Sequence, residues 1–458
     1  DDAEQDNINT PDTLSREKNT ILDTENYTFE EEVKEQPKES ESFLTQYRKL
    51  KANRTINGPY PYKTLFSADK LVTSFVIDPM RGFGLLLEAQ MNDLLENHKF
   101  NGGILSTTDL RSGELFAEYQ YLKGHIDYKI NFNREVIFWT KTGENASYDR
   151  YSGNRILLGA AYPFDAKSRI SFEPFFLQTI YTDLGKLDRN NTPINVPPKY
   201  EDLAVKNYLG GNIELVYDNS ITPAMNIQEG TKGKLTLSHY ESLNGREHSF
   251  SNLKADIRHY QKIHREIIFA TRLVYGMQFG NAPKTYLLGG MDNWLFSKTN
   301  RTENNNILNT ERAGDQSDLL FAEYITSVRG YDYATLFGRN VLMFNAELRI
   351  PIVKYLNSGY ISSNFFRNMQ FIGFYDIGSS WTGFSPFNKE NTISTVTLPP
   401  EANFLITLHN FKNPWMTSYG VGFRTMMLGY YMKFDVAWPL EDNTFTEPKL
   451  SVTLGYDF

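Results

Sequence analysis

Residues 449–458 have the sequence KLSVTLGYDF, in which large apolar residues alternate with polar or small ones. Because successive side chains of a β-strand point to opposite faces, this alternation predicts a strand with one apolar and one polar face. The apolar face consists of Leu450, Val452, Leu454, Tyr456 and Phe458. The same period of two recurs in 432–438 and 342–350, so the pattern is not confined to the end of the chain.

The composition excludes several classes of protein. The 458 residues contain no cysteine, which rules out disulfides, thiolate metal ligands and a cysteine nucleophile. Aromatic residues make up 14% of the chain, yet no stretch approaches the ~18–20 consecutive apolar residues that a membrane-spanning helix requires. A helical membrane protein is therefore excluded.

The negative charge is concentrated at the N-terminal end of the sequence. Residues 1–50 contain 14 acidic and 6 basic side chains, which accounts for the whole net charge of -8. A stretch of this composition with few apolar residues predicts a mostly disordered acidic tail, and it argues against nucleic acid as a partner. We expect a flexible periplasmic tail at 1–64, with one short docking or linker helix at 42–52, where Phe43, Tyr47 and Leu50 share a face.

The rest of the chain, 65–458, predicts an all-β transmembrane barrel. Polar faces that carry charges, with aromatic residues near the strand ends, favour a lipid-facing exterior and a wet lumen over a soluble sandwich. Only a closed sheet leaves no unpaired edge in hydrocarbon. The alternation predicts sixteen antiparallel strands, at 70–78, 83–93, 97–108, 113–122, 125–137, 153–163, 168–180, 205–217, 231–241, 248–262, 265–279, 339–350, 368–381, 417–427, 429–440 and 448–458.

The connections between these strands differ in length. Those after even-numbered strands are mostly short, whereas the long ones follow odd-numbered strands, at 138–152, 181–204, 280–338 and 382–416. In bacterial barrels the short turns are periplasmic and the long loops are external. We therefore expect both termini in the periplasm, the barrel in the outer membrane, and contact with outer-membrane lipid and lipopolysaccharide.

The sixth external loop, 280–338, contains the most informative motif. It ends in a tip of sequence VRGY, formed by Val328, Arg329, Gly330 and Tyr331. The alternation of the next two strands directs Glu347 and Asp376 into the lumen, and Asp376 belongs to an FYDIG segment that includes Phe374 and Gly378. A loop folded back into the lumen would place Arg329 between the two carboxylates, where bidentate pairing would form a latch.

These motifs resemble those of the BamA/TamA superfamily of outer-membrane barrels, the bacterial surface antigen family. The resemblance implies sixteen strands and a Val/Ile-Arg-Gly-Phe/Tyr loop tip that docks on the acid of a Phe/Gly-x-Asp-x-Gly strand, here Asp376. It also implies that Leu454, Tyr456 and Phe458 form a C-terminal signal for insertion. Further matches are Gly289-Gly290, 217–219, 230–233 and 338–352. The motifs cover about 205–458, and the strand pattern alone covers 65–204.

The N-terminal part departs from the family pattern. Translocases and insertases of this family carry periplasmic POTRA domains, with mixed strands and helices, ahead of the barrel. Residues 1–64 are acidic and low in apolar content, so we expect no POTRA domain in this sequence.

Sequence motifs do not point to an enzyme. The chain contains no GxSxG nucleophile elbow, no HExxH metal helix and no GxxxxGK[ST] phosphate loop. We expect no catalytic residue, no metal and no cofactor.

Three functions stay open. The resemblance implies an assembly or translocation barrel that inserts or exports client proteins through a lateral gate between the first and last strands, whose unpaired edge groups would template pairing. The second function is a structural barrel that anchors periplasmic or outer-membrane protein partners, which the acidic tail and the missing POTRA composition favour. The third, a passive channel, is disfavoured by a latched loop that obstructs the lumen.

Overall fold

The computed structural model of the protein describes residues 43–52, 66–140, 147–186, 203–297, 299, 308, 317–357, 359–388, 391, 395–398, 406–409, 413–441 and 444–455. The chain divides into two units, Asp1–Lys63 and Thr64–Phe458. The described part of the first unit is helix α1 (Phe43–Ala52); the rest of the predicted tail lies outside the described residues. No described helix is both long and apolar enough to cross a bilayer.

The described residues of the second unit lie mostly in antiparallel strands, as predicted. In chain order they are β1 (Phe66–Asp78), β2 (Gly82–Asp93), β3 (His98–Thr107), β4 (Gly113–Tyr121), β5 (Asp127–Thr140), β6 (Ser147–Pro163), β7 (Ser168–Lys186), β8 (Leu203–Asp218), β9 (Ile221–Ala224), β10 (Ile227–Ser242), β11 (Phe250–His264), β12 (Ile267–Gly280), β13 (Tyr286–Leu288), β14 (Trp294–Leu295), β15 (Glu323–Ile325), β16 (Leu336–Gly338), β17 (Asn340–Ile350), β18 (Gln370–Trp381), β19 (Thr395–Leu398), β20 (Ile406–His409), β21 (Met416–Met427), β22 (Tyr430–Glu441), β23 (Thr444–Phe445) and β24 (Lys449–Leu454).

Each of the sixteen predicted segments overlaps one strand of the main sheet. In the described residues this sheet has nineteen strands rather than sixteen, because the short strands β9, β14 and β23 add to it. Each of the other sixteen pairs with the next one in chain order. The order is β1, β2, β3, β4, β5, β6, β7, β8, β10, β11, β12, β17, β18, β21, β22 and β24. Strands β6 and β7 extend beyond their predicted ends because those ends pair with each other, as at Asp149 and Asp183.

The turns divide between two rims of the barrel. The short-turn rim carries the connections after β2, β4, β6, β11 and β21, and the other rim carries the long loops. One connection on the short-turn rim, between β17 and β18, is long, as the predicted strand ends implied, and it contains helices α2 (Ile352–Leu356) and α3 (Asn364–Arg367). This division agrees with the predicted sorting of short and long connections.

Side chains alternate across the wall as the sequence predicts. In β17, Glu347 is 1% exposed and points inward, whereas the neighbouring Leu348 is 37% exposed on the outer face. A lumen cavity of about 450 Å³ is lined by charged groups that include Glu214, Asp256 and Arg258. An apolar exterior around a charged interior is the distribution expected of a barrel in lipid.

This arrangement predicts opposite tolerances at two adjacent positions of β10. Leu235 is 43% exposed on the outer face, and Thr236 lines the lumen cavity. We expect Leu235→Arg to lower the free energy of unfolding in lipid vesicles by about 2–4 kcal/mol, because it moves a charge into hydrocarbon. Thr236→Arg, the matched control, is expected to change it by less than about 1 kcal/mol. Equal losses in urea titrations would contradict the assignment of the two faces.

The connection between β12 and β17 folds into the lumen, as predicted. Its strands β13, β15 and β16 form a small sheet of their own. On one side this loop packs against Val274, Met343 and Met416 of the barrel wall, and on the other against Ile137 and Tyr151 of β5 and β6. The sixth loop therefore crosses the lumen from one side of the wall to the other.

Candidate functional site

The predicted latch residues meet at the inner face of β17 and β18. The Arg329 guanidinium donates from Nε to Asp376 Oδ2 at 2.7 Å and from Nη2 to Asp376 Oδ1 at 2.6 Å. Its Nη1 donates to Glu347 Oε1 at 2.7 Å. All three side chains are at most 1% exposed. The structure thus brings the three charged residues together as the sequence suggested, with a bidentate pair on Asp376.

The backbone and the ring of Phe374 hold the arginine in place. The backbone N–H of Arg329 also donates to Asp376, at 3.2 Å, and the guanidinium carbon lies 3.6 Å from the centre of the Phe374 ring. Burial by itself lowers the pKa of the Arg329 guanidinium, but Asp376 and Glu347 raise it above its usual value. This arginine of the sixth loop is therefore held in its charged form on an aromatic face.

Glu347 has more partners than the sequence indicated. Arg349 Nε donates to Glu347 Oε2 at 2.8 Å, and Arg424 Nη2 donates to Glu347 Oε1 at 2.8 Å. Asn345 Nδ2 donates to Asp376 Oδ1 at 2.8 Å. Three arginines and two carboxylates therefore share one buried cluster, in which each carboxylate has several donors.

Sequence reasoning missed three members of this cluster for different reasons. Asn345 and Arg349 lie two residues on either side of Glu347, so the alternation already directs all three inward. Arg424 lies 77 residues beyond Glu347. Only the pairing order of β17, β18 and β21 brings Arg424 near, and no local pattern signals it.

Gly330 and Tyr331 fasten the loop tip to the next strands. Gly330 has φ of +83°, and a Cβ there would lie 3.2 Å from side-chain atoms of both Ala437 and Pro439. Glycine is required because the backbone is left-handed and presses against β22. The Tyr331 hydroxyl donates to the carbonyl of Leu440 at 2.8 Å. The tip is thus attached to β17, β18 and β22 at once.

Val328 and Gly378 form the apolar side of the latch. Val328 is fully buried, and its side chain is 3.5 Å from where a Cβ on Gly378 would stand. Leu288 would be 3.1 Å from the same point. The glycine of the FYDIG segment therefore makes room for the loop to lie against β18.

The pair Gly289-Gly290 lets the loop turn back toward its tip. Gly290 has φ of +79°, and a Cβ there would approach within 2.4 Å of the Tyr333 ring. An antiparallel bridge joins Gly290 to Val328. This contact connects the start of the loop to the residue before Arg329.

The second part of the site is the seam, defined here as the facing edges of β1 and β24. Strand β1 pairs with β2, and β24 pairs with β22 over six residue pairs. No ladder among the described residues joins β1 directly to β24. Instead, the Phe75 ring of β1 lies 5.5 Å from the Tyr430 ring of β22, and the short strand β14 of the sixth loop pairs with β24. No sequence pattern predicted this pairing.

The predicted insertion signal is described in part. Leu454 lies in β24 opposite Met432. Tyr456 and Phe458 lie outside the described residues.

In the part of the chain that the structure describes, no three His, Asp or Glu side chains form a group suited to a metal ion. What the site offers chemically is backbone hydrogen bonding at the seam and charge pairing at the latch.

Comparison with known proteins gives the following matches. The Omp85 superfamily domain matches residues 123–458. No curated protein matches the chain in sequence. The crystal structure of BamA from Haemophilus ducreyi lacking POTRA domains 1–3 aligns over 86% of this chain and 71% of that one, with a TM-score of 0.53 and 13% identity. At this identity the likeness is one of fold.

Two further solved structures align less closely. CdiB from Acinetobacter baumannii aligns over 85% of this chain and 59% of that one, with a TM-score of 0.45 and 12% identity. CdiB from Escherichia coli aligns over 86% of this chain and 63% of that one, with a TM-score of 0.47 and 9% identity. The chain therefore spans less than two thirds of the length of either CdiB chain.

Proposed function

Because the chain belongs to the Omp85 superfamily, whose barrels are bacterial outer-membrane proteins, we propose that it inserts or exports client proteins at the outer membrane through its seam. The observation that carries the proposal is the weak closure of the barrel between β1 and β24. Every other neighbouring pair of the sixteen long strands has a ladder of at least six residue pairs, and the described residues contain none here.

The chemistry of the seam suits a strand as client. An unpaired strand edge presents backbone N–H and C=O groups that cannot stay unsatisfied in hydrocarbon. An extended client segment that adds to this edge satisfies them and gains register from the alternation of its side chains. No covalent step and no nucleotide is needed, since the driving force is hydrogen bonding and burial of the client's apolar face.

The latch supports this mechanism by confining movement to the seam. Arg329 and Tyr331 tie the sixth loop to β17, β18 and β22, which lie on the β24 side of the barrel. Because the loop holds these strands together, β1 is the strand that moves away from β24 when the seam opens. We propose that the latch keeps its geometry while the seam opens.

The orientation and partners follow from the same proposal. With the long-loop rim outside the cell, both termini face the periplasm, where unfolded clients arrive. Outer-membrane lipid and lipopolysaccharide surround the wall, and periplasmic or outer-membrane proteins deliver the clients.

A cross-link across the seam tests the proposal. The chain has no cysteine, so Phe75→Cys/Tyr430→Cys can be joined specifically by a short bismaleimide. We expect the cross-linked protein in liposomes to lose the ability to accelerate folding of a urea-unfolded eight-stranded outer-membrane barrel. The readout is the fraction of client that becomes heat-modifiable on gels.

The matched control joins a non-seam pair. Tyr419 and Trp438 stack across β21 and β22 with ring centres 5.6 Å apart, and Tyr419→Cys/Trp438→Cys should keep full activity when cross-linked. Activity that survives the Phe75–Tyr430 link would overturn the gate and favour the structural anchor instead. A passive channel fits the structure poorly because the sixth loop packs against both β5–β6 and β12–β17.

A further inference from the structure

The seam holds a piece of the protein's own sixth loop. In β14, Trp294 pairs with Thr453 and Leu295 pairs with Val452, antiparallel to β24. The pairing continues the pleat of the wall, since Trp294 and Thr453 are both buried inward. Two residues of a lumen loop thus occupy the edge of β24 that a client strand would use.

Asn293 connects this segment to both sides of the seam. Its side-chain oxygen accepts a hydrogen bond from the backbone N–H of Ile77 in β1, at 3.0 Å. Its backbone carbonyl accepts one from the N–H of Leu454 in β24, at 3.2 Å. One residue therefore bridges the two edges in place of a β1–β24 ladder.

The segment is anchored on the lumen side by its tryptophan. Trp294 is 7% exposed and packs with Met291 and Tyr333, whose ring centre is 5.7 Å from that of Trp294. Gly290, next to Met291, bridges to Val328 beside the latch arginine. The seam segment is therefore a continuation of the latched loop rather than a separate turn.

The attachment at the wall is short. Two residue pairs join β14 to β24, whereas six join β22 to β24. The flanking residues Asn293 and Phe296 both have left-handed backbones, with φ of 50° and 61°. Asparagine tolerates this conformation, but a bulky aromatic residue is strained in it. A longer extended segment that paired with the same edge would form more hydrogen bonds and relieve this strain.

We propose that Asn293–Leu295 is a built-in competitor strand that closes the seam in cis, and that an extended client segment opens it by displacing these residues from β24. The inference rests on the proposed function. It adds which residues occupy the seam when no client is bound, and what kind of client segment replaces them. The ligand is a β-strand with an apolar side chain at the position of Leu295, which faces Val452 across the ladder.

A disulfide that can be formed and then reduced tests the proposal. Leu295→Cys/Val452→Cys places a disulfide across a registered pair of β14 and β24. In liposomes, we expect the oxidised protein to stop accelerating the folding of a urea-unfolded eight-stranded outer-membrane barrel. Reduction of the same sample should restore the wild-type rate.

The matched control is a disulfide between two other wall strands, away from the seam. Leu237 and Leu253 form a registered pair of β10 and β11, and an oxidised Leu237→Cys/Leu253→Cys protein should fold the client at the wild-type rate. If the oxidised Leu295–Val452 protein were as active as its reduced form, the competitor strand would be refuted while the proposed function stood. If wild-type protein failed to accelerate the client, the proposed function itself would be refuted.

A second variant tests the inference in the opposite direction. Trp294→Ala removes the lumen anchor but leaves the barrel wall intact, so the segment should leave β24 more readily. We expect faster client folding than with wild type and a lower yield of the Leu295–Val452 disulfide when the cysteines are added to this variant. An undiminished disulfide yield and an unchanged rate would contradict a displaceable segment.

Discussion

Arg329→Ala is expected to lower the free energy of unfolding of the barrel by about 3–5 kcal/mol, the typical cost of removing one partner of a buried ion pair. The change leaves Asp376 with Asn345 as its remaining side-chain donor, and it takes one of three arginines from Glu347. Since the side chains involved are at most 1% exposed, water offers little compensation. Urea titration in lipid vesicles, followed by tryptophan fluorescence, measures the loss.

A second lumen arginine provides the control for this prediction. Arg258 pairs with Asp256 at 3.2 Å, but the two side chains are 29% and 19% exposed, and Arg272 also binds Asp256 at 2.8 Å. We expect Arg258→Ala to cost less than about 1 kcal/mol. The temperature at which the barrel loses its heat-modifiable gel mobility should fall for Arg329→Ala only. An equal temperature for wild type and Arg329→Ala would show that the latch does not stabilise the barrel.

Glu347→Ala is expected to destabilise the barrel more than Arg329→Ala does, by about 5 kcal/mol or more. Glu347 is the carboxylate shared by Arg329, Arg349 and Arg424. Its removal leaves three buried guanidinium groups close together, with Asp376 bound to one of them. Repulsion between like charges is then added to the loss of hydrogen bonds. The same urea titration ranks the two variants directly.

Two further variants distinguish the effect of losing the Glu347 charge from the effect of shortening a lumen side chain. Glu347→Gln keeps one acceptor oxygen without the charge, and its loss should lie between those of wild type and Glu347→Ala. Glu214→Ala removes a lumen carboxylate whose partner, Lys234, is 51% exposed, and it should cost less than about 1 kcal/mol. If Glu347→Ala were no worse than Glu214→Ala, the charge cluster would not contribute to stability.

These two predictions bear on how the barrel would work. The sixth loop connects the latch to the seam, because Gly290 bridges to Val328 and Asn293 reaches the edges of β1 and β24. Loss of the latch is therefore expected to loosen the seam segment as well. A latch variant that unfolds more easily should also form less of the Leu295–Val452 disulfide.

The wall of the barrel was predictable because its determinants are local. A strand has a side-chain period of two, so the alternation in a segment such as 342–350 directs Glu347 inward and Leu348 outward without reference to any other strand. The family resemblance could be seen in the sequence because motifs such as VRGY and FYDIG are short and contiguous, and the match of the Omp85 superfamily domain to residues 123–458 confirmed it. The three short strands of the main sheet were not predicted, because two to four residues carry no measurable period.

The sequence alone therefore determined the strand pattern and the inward direction of Glu347 and Asp376, and it predicted that Arg329 would pair with both. The tertiary structure decided the rest. Arg424 joins the latch only because β17, β18 and β21 are neighbours in register. Asn293 forms hydrogen bonds with both β1 and β24 only because a loop anchored at Arg329 passes between these strands. Both contacts join residues far apart in the chain, and their formation depends on strand order and barrel closure, which no local pattern encodes.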